Sequence, residues 1–114
     1  MVKRRKNSKK TSKLKKIVDE RHYIDLKKGE LLQLQVWEDD SHNVVKYDLV
    51  YINPLIYAGD NGRVLAYDNN HDIHHKHYFG EFIEVDFESY EDQLKEFEKE
   101  YKALKKSFKH DFTG

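Results

Sequence analysis

The chain has 114 residues, no cysteine, and 21 basic against 21 acidic side chains. That length makes one domain whose core buries roughly two thirds of the surface the unfolded chain exposes. Disulfides and thiolate chemistry are excluded, and no run reaches the ~18 apolar residues of a membrane span, so a cytoplasmic protein without a membrane partner is expected.

The neutral total hides a segregation of charge. Residues 1–16 carry nine Lys or Arg and no acid, which leaves twelve basic against twenty-one acidic side chains in the remainder. Residues 1–16 read as a disordered basic leader. Such a leader either holds phosphate backbones through counterion release or is a solvated tail without a dedicated partner. Residues 17–114 read as a single α+β domain, with Leu14, Ile17 and Val18 forming a short helical turn into it.

From Gly29 the hydrophobic period becomes two. In "ELLQLQVWE", Leu32, Leu34 and Val36 alternate with Gln33, Gln35 and Trp37, as in a strand with one buried face. "VVKYDLVYI" puts Val45, Tyr47, Leu49 and Tyr51 on one face and Lys46 and Asp48 on the other. Pro54 cannot donate to a ladder and ends that strand. Asn61-Gly62 suits a tight hairpin turn, "RVLAYD" is the returning strand, and "EFIEVDF" alternates again with Ile83, Val85 and Phe87 on one side.

The last element is a helix. Ser89 with Asp92 approximates a capping box. Tyr90, Leu94, Phe97, Tyr101, Leu104 and Phe108 follow at spacings of three and four, one apolar stripe. The expected architecture is therefore an antiparallel sheet of four to five strands packed by a C-terminal amphipathic helix.

Four of the seven histidines fall between His71 and His77, in "AYDNNHDIHHKHYFG". They stand where a chain leaves a strand, and chemistry is commonly displayed on such loops. If "HHKHYF" is extended, His75 and His77 share one face, and His74 and Lys76 the other. Three chemistries fit. One is general acid–base cleavage of a phosphodiester without a cofactor, with two imidazoles titrating near neutrality and Lys76 or Arg63 stabilising the anion. Another is a single divalent metal ion on His75, His77 and Asp68. The third is recognition without reaction, using histidines, Lys76, Asn69, Tyr67 and Tyr78. A plain surface loop, with Asp68 capping its turn, stands beside these.

"YDNNH" followed by "HHKH" resembles the signature of the TumE-type proteins, small toxins of bacterial and archaeal toxin–antitoxin pairs. The matching positions are Tyr67, Asp68, Asn69, His71, His74, His75, Lys76 and His77, and the likeness extends over residues 17–104 with the basic leader outside it. Where the family often has an arginine before the Asp-Asn unit and a proline after it, Ala66-Tyr67 and Asn70 stand here, which makes Arg63 the substitute anion-binding group. The resemblance implies growth inhibition restrained by a cognate helix-turn-helix antitoxin. The histidines themselves point to a ribonuclease. Its catalytic set would be His75, His77, Lys76, Asp68, His71 and His74, and Arg63, Tyr67, Asn69 and Tyr78 would hold RNA. A second copy of the chain is the other partner considered.

Overall fold

The computed structural model describes residues 13–113, with side chains as far as Phe108. Six strands form one sheet in sequential order, each antiparallel to the next: β1 (Lys15–Asp25), β2 (Glu30–Glu38), β3 (Val44–Ile52), β4 (Arg63–Asp68), β5 (His75–Tyr78) and β6 (Glu81–Glu84). A single helix, α1 (Tyr90–Thr113), follows. The α+β class holds, with one strand more than the upper expectation.

The additional strand is β1, which stands where a helical turn was expected around Leu14–Val18. Both faces of β1 are mostly solvent-exposed, so its side chains carry no alternation to read. It is held by pairing with β2 from Lys15↔Glu38 to Asp25↔Glu30. Lys15 and Lys16 therefore belong to the sheet; the rest of the expected leader, residues 1–12, lies outside the described residues.

β2 and β3 occupy the spans their alternation marks. Val36, Tyr47, Leu49 and Tyr51 turn inward and form the core with Val64, Leu65 and Tyr67. β3 stops two residues before Pro54. Asn61 and Gly62 do adopt positive φ, 57° and 81°, but the turn is not a two-residue hairpin. Residues 53–62 form a longer connection tied by the buried Asn53, whose N–H donates to the Gly62 carbonyl at 2.8 Å. The tight hairpin lies instead between β5 and β6, where Phe79 and Gly80 both have positive φ as the favoured two-residue turn requires.

Ser89 caps α1: its Oγ accepts from the Asp92 N–H at 3.1 Å and its carbonyl from the Gln93 N–H. The apolar stripe lies on β3 and β4. Phe97 meets Tyr67 edge-on at 6.3 Å, Tyr101 lies 5.5 Å from Tyr51, and Tyr90 packs on Tyr47. One face of the sheet is thus covered by the helix; no helix among the described residues lies on the other, although Val50, Ala66, Asp68 and His75 are buried there.

Candidate functional site

Register across the helix-free face assembles a polar row. Asp19 stands opposite Gln35, Gln35 opposite Asp48, Asp48 opposite Asp68, Asp68 opposite His75, and His75 opposite Glu84. Alternation within β5 places His77 on the same face, opposite Ala66. The small alanine leaves the imidazole room to lean toward Asp68, a diagonal neighbour within reach of a long side chain.

Asp68, His75 and His77 converge. His75 Nε2 lies 3.1 Å from Asp68 Oδ1 and 3.1 Å from His77 Nε2, and His77 Nε2 lies 3.6 Å from Asp68 Oδ2. Asp68 and His75 are 1% and 3% exposed, while the His77 side chain keeps 20% and is the member open to solvent. The ring of His75 stacks on Phe82 at 4.2 Å. Its Nδ1 lies 2.7 Å from the Ile73 carbonyl. A carbonyl only accepts, so Nδ1 carries a proton, and Nε2 is the ring nitrogen turned to Asp68 and His77. Asp68 Oδ1 also accepts from the Asn70 N–H at 3.0 Å. Burial lowers the pKa of His77 first, and the Arg63 guanidinium lowers it further. Arg63 itself is held by Asp60 at 2.8 Å.

The remaining sequence candidates do not join this group. Lys76 points to the helix side, where its Nζ lies 2.8 Å from Glu100 Oε2. Tyr67 is buried there too, its hydroxyl donating to Glu100 Oε1 at 2.6 Å; burial and that carboxylate raise its pKa. Both line a hollow of about 340 Å³ shared with Asp86, Glu88, Asp92 and Glu96, whose charge repels phosphate. Lys76 is therefore separated by the sheet from the anion that His75 and His77 would bind. Tyr78 shares its side, with the Lys76 ammonium 5.4 Å from its ring.

His74 is also on the helix side. It stacks on Phe87 at 3.8 Å and meets the Tyr47 hydroxyl at 2.8 Å. Gln93 donates to that hydroxyl as well, and burial holds the His74 ring below its usual pKa. Asn69 is a bracket: Oδ1 accepts from the Tyr47 N–H and Nδ2 donates to the Val45 carbonyl. His71 lies exposed in a turn with φ 62°.

Two features escaped the sequence reading. Asp48 adjoins Asp68, and its Oδ1 is buried with no hydrogen-bond partner. Burial, reinforced by the negative charge of Asp68, raises its pKa. A row of carboxylates across strands has no signature along the chain. Farther along the helix-free face, Trp37 lies between the ammonium groups of Lys16 and Lys46, at 5.2 and 4.8 Å from its ring.

Among the described residues no helix is long and apolar enough to cross a membrane. The family model "Toxin TumE" matches residues 2–105, so the shared region takes in the basic leader that the motif alone leaves out. No curated protein and no solved structure matches the chain. A toxin family implies an antitoxin partner. With its histidine signature divided between two faces of a six-stranded sheet, the chain belongs to the TumE toxin family.

Proposed function

We propose that this chain is the growth-arresting half of a toxin–antitoxin pair and that it cleaves RNA in the cytoplasm at the Asp68–His75–His77 centre. The observation that supports this is the convergence of two imidazoles and a carboxylate at one point of the helix-free sheet face. Phosphodiester cleavage needs an activated oxygen and a cation near the phosphorus. Of the two cations expected to stabilise the anion, Lys76 or Arg63, Arg63 takes the role, since it acts electrostatically on His77.

The separate acid and base expected of His75 and His77 give way to one combined centre, because nitrogens 3.1 Å apart leave no room for a phosphate between them. The Lys16–Trp37–Lys46 stack supplies a stacking and charged surface for an unpaired strand. The leader adds charge to offset an acidic body. The cognate antitoxin is read as a basic helix-turn-helix protein that covers this face.

His77→Ala should abolish growth inhibition and lower RNA cleavage by at least about 100-fold, whereas Lys76→Ala should cleave at near the wild-type rate. A folded His77→Ala variant that still cleaves would sink the reading. Retained RNA binding without cleavage in the wild-type chain would leave the alternative, a binding module.

A further inference from the structure

The imidazole and carboxylate atoms at this centre are electron-rich, and hydrogen bonding accounts for only part of them. With Nδ1 committed to the Ile73 carbonyl, Nε2 is the ring nitrogen of His75 left to hold a ligand. Facing it at 3.1 Å each are an Asp68 oxygen, itself only an acceptor when ionised, and His77 Nε2. Three potential ligand atoms thus converge on one buried point, as they do around a shared cation.

We infer that Asp68, His75 and His77 form a binding site for one zinc-type divalent ion, with its other positions open to water or to an oxygen of the substrate. The geometry fits without rearrangement of the strands. Donors bound at about 2.0–2.1 Å lie about 3.3 Å apart at tetrahedral angles and about 2.9 Å apart at right angles. The two imidazole nitrogens stand 3.1 Å apart, His75 Nε2 is 3.1 Å from Asp68 Oδ1 and His77 Nε2 is 3.6 Å from Asp68 Oδ2, and one ligand atom from each residue lies within 4.8 Å of the others, so side-chain rotation alone closes the set.

The supports of the ligands are in place too. A metal-binding histidine commonly donates its other N–H to a carbonyl, and a ligating carboxylate is itself hydrogen-bonded. Here the Ile73 carbonyl and the Asn70 N–H do this. The buried, partnerless Asp48 Oδ1 beside Asp68 gives an independent indication, since a cation there offsets two adjacent carboxylates. Two imidazoles with one carboxylate select a first-row ion such as zinc over magnesium or calcium, which prefer oxygen donors. This deepens the ribonuclease reading, which places its chemistry on the same three residues, but ion binding is argued from the donors alone and does not require cleavage.

The test is calorimetric titration of Zn²⁺ into the full chain, prepared without a histidine tag and stripped with EDTA. One ion should bind per chain at micromolar affinity or tighter. His77→Ala and Asp68→Asn should each weaken binding by at least about 100-fold, and His22→Ala, on an exposed strand, should not change it. Co²⁺ in place of Zn²⁺ should give visible absorption bands that vanish in His77→Ala. Circular dichroism checks that each variant folds, with His77→Gln as the substitute if alanine does not. Absence of saturable binding, or equal binding in the folded variants, overturns the site. RNA cleavage assayed beside it separates the two readings. Zn²⁺ bound with no cleavage defeats the ribonuclease and keeps the site; full cleavage in EDTA by a chain that binds no Zn²⁺ does the reverse.

Discussion

Asp48 carries a charge that folding disfavours. Its pKa is raised by burial and by Asp68, so the folded state holds its proton more tightly than the unfolded chain does. Such a group contributes stability at acid pH that is lost as pH rises through the folded value. Asp48→Asn, compared with wild type in EDTA, should raise Tm at neutral pH by about 2–4 °C, and the gain should shrink toward acid pH. A lowered Tm at neutral pH would contradict this. Asp68 differs because it has two imidazoles and the Asn70 N–H around it. Residue types alone do not separate these aspartates; their partners do.

At the scale of elements, the helix and the sheet divide the labour. Ser89 caps α1, so Ser89→Ala should cost about 1 kcal/mol in urea unfolding. Phe97, 1% exposed at the centre of the stripe, should cost about 3–5 kcal/mol when cut to alanine. Folded Ser89→Ala should keep full activity, because the candidate site lies on the far side of the sheet. The helix stripe, β2 and β3 were legible because burial on one face imprints a local period. β1 was not, since an exposed edge strand buries too little to leave one. The β5–β6 hairpin was unmarked as well: its turn places Phe79 at positive φ, a position where sequence rules lead one to expect glycine or asparagine.

Taken whole, the molecule carries opposed charges on its leader and its body. An acidic body binds RNA poorly unless cationic groups face the strand. Deleting residues 1–13 should therefore weaken RNA binding and reduce its salt dependence. The log–log slope should fall by about 0.7 for each leader cation that contacts a phosphate. Cleavage of a short RNA at saturating concentration should persist, because Arg63, Lys46 and the Asp68 centre stay. An unchanged salt slope would show that the leader is not engaged.

From the sequence alone came the strand alternation, the capped helix and the sharing of one face by His75 and His77. Each depends on a repeat of two or of about 3.6 residues, which neighbours along the chain express by themselves. Only tertiary structure decided which acid the histidines meet. Asp68 stands opposite His75 because the turn at residues 69–74 sets the β4–β5 register, and a shift of one residue would turn the pair to opposite faces. Alternation already set Lys76 on the face away from His75 and His77; what tertiary structure added is the partner there, Glu100 of a distant helix, which bonds both Lys76 and Tyr67. Cross-strand and helix–sheet contacts depend on register and packing over long separations, and no local period encodes them.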